Sequence, residues 1–209
     1  MRPKPPPRQA PIYVTAEDLE NPASLVDSFI TVAQSHPNGS FRPGFRLMND
    51  DILQETTRGK SILDVLRLHG PHFLSWNVTR SAIILDNCSP VDSTAVIAQR
   101  SEMEQWIEYS DDDSDDSMAR VGDEEYDNES PEQRYQRLLP KLREQAENEQ
   151  REKGILWYEK ADEGKIFQVF HFRVRFEDVA YLLNVLSVKP LAREYTERAH
   201  LDPSGILKS

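Results

Sequence analysis

The strongest periodic signal in the chain is a two-residue alternation near its C-terminal end. Phe170, Phe172, Val174 and Phe176 fall on one side and His171, Arg173 and Arg175 on the other, the pattern of a strand with one buried face. The period then changes. Val179, Leu182, Leu183 and Leu186 stand at i, i+3, i+4 and i+7, which predicts an amphipathic helix directly after the strand. Another helix is predicted after Pro190, with Glu194 placed four residues before Arg198. Upstream, Ile155 to Tyr158 form an apolar cluster that fits the start of a strand. Tyr135, Leu138, Leu139 and Leu142 trace a helical stripe, which Pro140 is expected to kink or split. The stretch that follows, 143–153, is polar on nearly every face and reads as a solvated helix end or a contact face for a partner.

The first half alternates between short elements. Ile12, Tyr13 and Val14 predict a strand, and Asn21 before Pro22 predicts a capped helix start. Leu25, Phe29, Val32 and Ala33 share the face of that helix, which should stop before Pro37. Phe45 and Leu47 alternate with Arg46 and Met48 as in a short strand. Ser61 and Asp64 have capping-box spacing ahead of Ile62, Val65 and Leu66, and Gly70-Pro71 supplies a stop. Leu74, Trp76 and Val78 alternate with Phe73, Ser75 and Asn77, and Ala82 to Leu85 is a continuous apolar run, so a hairpin is predicted here.

An isolated strand or hairpin is not stable in water, so the aromatic strand near the C-terminal end must pair with strands of the first half. The expected fold is α+β, with a small mixed or antiparallel sheet packed with helices. It forms one domain from residues 12–100 and 133–201, interrupted by an acidic loop, with 202–209 as a short tail.

Charge sharpens that division. The chain has 209 residues, 38% hydrophobic and 29% charged, and a formal charge of −11 from 36 acidic and 25 basic residues. Residues 101–132 hold 14 Asp or Glu and a single basic residue, Arg120. That segment carries −13 and leaves +2 for everything else. Ser110 to Ser117 and Asp123 to Ser130 contain almost no apolar side chains. Such a stretch cannot offset the ordering cost of about 1–2 kcal/mol per residue, so disorder is expected for 101–132. Residues 1–11, with five prolines and three cations, are expected to form a disordered basic polyproline arm.

No motif brings reactive groups together convincingly. Gly59-Lys60-Ser61 resembles the end of a phosphate loop, but Gln54 stands where the loop needs glycine. His69 and His72 bracket Gly70-Pro71 and lack the further donors of a metal site, so no metal and no cofactor are expected. Cys88, the only cysteine, excludes an intramolecular disulfide, and the nearby Asp86 opposes a reactive thiolate. The four Asn-x-Ser/Thr sequences carry no chemistry without a secretory context. Arg173 and Arg175 lie opposite the strand's aromatics, which favours a core face and a solvent face over RNA stacking.

The expected function is therefore non-catalytic. The acidic loop would bind a basic protein partner, with Trp106 and Tyr109 as anchors and Asp111, Asp112, Asp113, Asp115 and Asp116 supplying charge. Ser110 and Ser114, flanked by aspartates, suit an acid-directed kinase. Pro3, Pro6 and Arg8 have the spacing of an SH3-type ligand. Nucleic acid and membrane are not expected partners, and the location expected is cytoplasmic or nuclear. The alternative is an enzyme whose site gathers His69, His72, Asp86 and Cys88, with Lys60 as an anion contact, at one end of the 69–88 hairpin.

Overall fold

The computed structural model describes residues 8–17, 19–35, 45–48, 57–69, 81–103, 130–160, 165–186 and 189–207. Among them are six strands and six helices. In chain order they are β1 (Arg8–Val14), α1 (Pro22–Ser35), β2 (Phe45–Met48), α2 (Ile62–His69), β3 (Ser81–Leu85) and α3 (Ser89–Asp92). The second half adds β4 (Thr94–Glu102), α4 (Pro131–Lys153), β5 (Leu156–Lys160), β6 (Lys165–Arg175), α5 (Phe176–Leu186) and α6 (Ala192–Leu201). The strands form one mixed sheet in the order β2-β1-β3-β4-β6-β5, and the fold is α+β. β2, β1 and β3 are parallel; β3 to β4, β4 to β6 and β6 to β5 are antiparallel. β6 pairs along nine residues with β4, from Arg175 opposite Thr94 to Phe167 opposite Glu102, which joins it to the first half of the chain.

Strand alternation sends successive side chains to opposite faces of the sheet. One face carries Ile12, Val14, Ile83, Leu85, Ala95, Ile97, Phe172 and Val174, packed against α1, α5 and α6. Phe29 of α1 meets Phe176 edge-on at 5.1 Å, and Phe172 meets Tyr195 of α6 in the same way at 5.5 Å. Further along this face, Ile166 packs with Leu138, Leu139, Leu142 and Ala146 of α4. The opposite face carries Tyr13, Ala82, Ile84, Val96, Ala98, Phe167 and Val169, with Val65 and Leu66 of α2. The expected solvent face of β6 is therefore corrected: Phe167 and Val169 are buried, and Arg173 is less than one-fifth exposed at its side chain.

Most predicted helices stand where the periodicity puts them. α1 ends at Ser35, ahead of Pro37. α2 opens on Ser61, whose Oγ accepts from the Asp64 amide at 3.2 Å and donates to the Asp64 carboxylate at 2.6 Å. Val179, Leu182, Leu183 and Leu186 are the buried stripe of α5.

Other expectations are corrected. The chain is extended from Arg8, not Ile12, because β2 supplies a partner: Arg8 to Pro11 pair with Phe45 to Met48. β3 pairs with β1 on one edge and β4 on the other, and residues 74–78, the other strand of the expected hairpin, lie outside the described residues. β3 instead turns through α3 into β4, a strand the periodicity missed. α4 runs as one helix through Pro140, and its polar stretch is partly a packed face, since Ala146 and Glu149 are buried. Of the expected tail 202–209, the described part 202–207 is packed on the fold: Ile206 bridges to Arg173 in parallel, the Leu207 amide donates to the Arg173 carbonyl at 2.8 Å, and Leu207 is buried in the first core cluster.

Candidate functional site

The acidic segment lies mostly outside the described residues, which resume at Ser130, but both of its junctions with the fold are described. β4 delivers it at Glu102 and Met103. The Met103 amide donates to the Ile166 carbonyl at 2.9 Å, and Glu102 pairs with Lys165 at 2.8 Å. Met103 is buried in the cluster of Leu138, Leu139, Leu142, Ala146 and Ile166. The chain re-enters at Ser130, the N-cap of α4. The Gln133 amide donates to Ser130 Oγ at 3.2 Å, and the Ser130 amide to Gln133 Oε1 at 2.9 Å, a reciprocal capping box. One apolar cluster thus holds the exit strand and the return helix. Trp106, Tyr109, Ser110, Asp111, Asp112, Asp113, Ser114, Asp115 and Asp116 all fall outside the described residues.

α4 is fixed in turn by a polar network. Glu149 stands seven residues after Leu142 on the apolar stripe and is buried. Its carboxylate accepts from Gln168 of β6, from Arg193 of α6, and from Gln145 at 3.4 Å. Arg193 also reaches Glu197 at 3.2 Å. Burial works against the Arg193 charge, but these carboxylates outweigh it and raise its pKa above the ordinary guanidinium value. A buried charge with several partners in place of water is the arrangement that makes a buried carboxylate tolerable.

Of the alternative catalytic cluster, Asp86 is taken up by contacts within the fold. Asp86, after β3, receives Arg173 on both carboxylate oxygens, with the Cys88 amide at 3.1 Å and Ser89 Oγ at 3.2 Å on Oδ1. Arg173 also donates to Thr94 Oγ1 at 2.9 Å. Burial alone would raise the Asp86 carboxyl, yet Arg173 and the two short-range donors hold it below its ordinary value. Asp86 is thus a clasp between the β3 turn and β6. Cys88 is exposed in the turn after it. His69 is the terminal residue of α2, and His72 lies outside the described residues. Among the described residues no group of three or more His, Cys, Asp or Glu could hold a metal ion.

The carboxyl ends of β1 and β3 form a switch point, because β1 leads through α1 to β2 on one side, while β2 leads through α2 to β3 on the other. Open sheets commonly bind ligands there. Here the Thr15 amide donates to the Leu85 carbonyl at 2.8 Å, and the Glu17 amide to Asn87 Oδ1 at 2.9 Å. Gly59 and Lys60 do reach this edge, but the Gly59 amide is spent on the Thr15 carbonyl at 2.9 Å and does not face outward as a phosphate loop requires. Gly59 has φ +69°, and a Cβ on it would stand 3.1 Å from Glu17 Oε1, so the tight turn demands glycine. Arg8, the third member of the SH3-type spacing, is the first residue of the β1 ladder; Pro3 and Pro6 lie outside the described residues.

His171 is half-buried, and its Nδ1 is the one buried side-chain nitrogen or oxygen without a hydrogen-bond partner among the described residues. Burial lowers its pKa below 6.5, aided by His200, while a hydrogen bond with the Val169 backbone works the other way. The folded state binds its proton less readily than the unfolded chain, so stability contributed here is full at high pH and falls as pH drops below about 6.5. The midpoint of thermal unfolding is expected to fall between pH 7.5 and pH 5.5, and the fall should shrink in His171→Gln. Equal slopes in both proteins would show that His171 is not responsible.

No described helix is long and apolar enough to cross a membrane. No protein family, curated protein or solved structure matches this chain.

Proposed function

We propose that this is a non-catalytic interaction protein of the cytosol or nucleus, which presents residues 101–132 as an acidic ligand to a basic protein partner. The observation that carries the proposal is the concentration of −13 in 32 residues of a chain whose remainder is +2, mounted between two fixed anchors. Opposite charges attract over roughly 8 Å at physiological salt, so a cluster of this density steers a cationic surface toward it and repels nucleic acid. Trp106 and Tyr109 sit close behind the root at Met103, where an aromatic side chain entering a partner pocket adds affinity that charge alone does not provide. Support for a binding role also comes from the fold: Asp86, one of the groups of the alternative site, serves as a structural contact to Arg173.

Ser110 and Ser114 would act as regulators of the same segment. Each phosphate adds about −1.5 to −2 charge, which strengthens attraction to a basic partner.

The test titrates a deca-lysine peptide against the wild type and against a variant with Asp111, Asp112, Asp113, Asp115 and Asp116 changed to Asn. The variant is expected to bind at least about tenfold more weakly at 0.05 M salt, with a flatter salt dependence, since five of the charges are gone. Equal affinity and equal salt slope for the two proteins would remove the electrostatic reading.

A further inference from the structure

On the face of the sheet that α2 covers, one phenol gathers guanidiniums from two other elements. Tyr158 of β5 and Phe167 of β6 stand opposite each other in the ladder, and their rings stack 5.4 Å apart at 23°. Both are buried, at 4% and 5% exposure, with Val65 and Leu66 of α2. Each ring carries a guanidinium. Arg67 of α2 is 5.2 Å from the Tyr158 ring centroid, and Arg100 of β4 is 4.5 Å from that of Phe167. Arg100 Nη1 also donates to the Tyr158 hydroxyl at 3.3 Å. The hydroxyl oxygen is thus an acceptor, while its own proton meets no acceptor among the described residues. On a residue almost withdrawn from water, a hydroxyl proton is costly to leave unpaired.

Stacking uses the flat face of a guanidinium and leaves its N–H donors in the plane, directed past the edge of the ring. Arg67 is only loosely neutralised. Asp64 is 3.5 Å from it, and that carboxylate accepts a shorter bond from Ser61 Oγ at 2.6 Å. The geometry points to an oxyanion site here, in which Arg67, Arg100 and the Tyr158 hydroxyl together hold a phosphate monoester. A carboxylate offers two oxygens in one plane. A phosphate monoester offers three around a tetrahedron, which suits donors arriving from a helix and two strands. Its charge of about −1.5 to −2 also matches two guanidiniums. Because both rings are buried, they give no platform on which a nucleobase stacks, so the group recognised is the phosphate alone. None of the three side chains belongs to residues 101–132, and removing acidic charge there leaves the site intact.

Two sources present this group: a small phosphorylated molecule and a phosphorylated side chain of a partner protein. Titration of the full chain with inorganic phosphate, and separately with a phosphoserine peptide, distinguishes them. Binding is followed at about 0.15 M salt by calorimetry and by the side-chain Nε–H resonance of Arg67. Saturable binding is expected, about tenfold weaker in Arg67→Gln and about threefold weaker in Tyr158→Phe. Tyr158→Phe keeps the ring and its stacking, so its loss reports the hydroxyl and not the fold. A peptide bound about tenfold or more tighter than phosphate assigns the site to a partner's phosphorylated side chain, and a smaller ratio assigns it to small phosphorylated molecules. Acetate, the carboxylate control, should bind at least about tenfold more weakly than phosphate; equal affinity overturns the choice of phosphate. The site itself is overturned if neither phosphate nor peptide shows saturable binding up to about 10 mM, or if wild type and both variants bind them equally.

Discussion

Replacing Phe172 with Ala is expected to lower the stability of the chain by about 3–5 kcal/mol, the usual loss when a buried phenylalanine is truncated and the cavity cannot collapse. For a chain of this size that corresponds to a fall of about 6–20 °C in Tm. Phe172 is 2% exposed, sits at the middle of β6 opposite Ile97, and meets Tyr195 of α6 edge-on. Its neighbours in the core come from both halves of the chain, including Ile12 and Phe29 as well as Val179 and Leu183. The cavity would therefore weaken β1, α1, α5 and α6 together, and a single unfolding transition should shift. Hydrogen exchange decides the point, because amides of β1 and β3 and amides of α5 should lose the same protection free energy. Loss confined to α5 and α6 would mean that the two halves unfold independently and that β4–β6 pairing is not the cooperative link.

That link was legible in part. Phe170, Phe172 and Val174 alternate with polar residues, so the need for strand partners from elsewhere could be read directly. The partner itself could not. β4 is central and covered on both faces, so Ala95 to Ala98 form a continuous run without alternation, and the alanines at its two ends shorten the signal to Val96 and Ile97. β1 was recognised only from Ile12, because the prolines before it read as polyproline; pairing with β2, distant in sequence, overrides that local preference.

The site divides in the same way. Composition alone exposes the acidic segment. Its root depends on Met103 meeting Leu138, Leu142 and Ile166, contacts between residues more than thirty positions apart. Glu149 had a usable signal, since it continues the Leu142 and Ala146 stripe at heptad spacing, and a carboxylate on an apolar stripe implies a partner. The Asp86–Arg173 pair had none, because 87 residues separate its members.

Asp86→Ala is expected to destabilise the protein by about 2–3 kcal/mol at neutral pH. Removing one partner of a buried pair costs about 3–5 kcal/mol because the other charge stays behind unpaired, and the partial exposure of both side chains, 19% and 29%, reduces that figure. Arg173 would retain the hydrogen bond to Thr94 Oγ1 and the weaker attraction of Asp92. Arg173→Met should cost less, about 1–2 kcal/mol, because Asp86 keeps Ser89 and the Cys88 amide and has a path to water. The Asp86→Ala/Arg173→Met double variant should be more stable than the sum of the two losses predicts, since neither charge is then stranded. The acid limb gives an independent check. Arg173 and the other donors hold the Asp86 carboxyl below 3.8, so its contribution is complete above that pH and is lost as pH falls through the lower folded value. Urea unfolding at pH 7 and at about pH 3 should therefore show a smaller gap between wild type and Asp86→Ala in acid. If Asp86→Ala instead leaves neutral-pH stability within about 0.5 kcal/mol of wild type, the clasp is not structural. Asp86 would then be free to serve chemistry at the end of β3, and the case for a purely binding protein would lose the support it draws from that edge of the sheet.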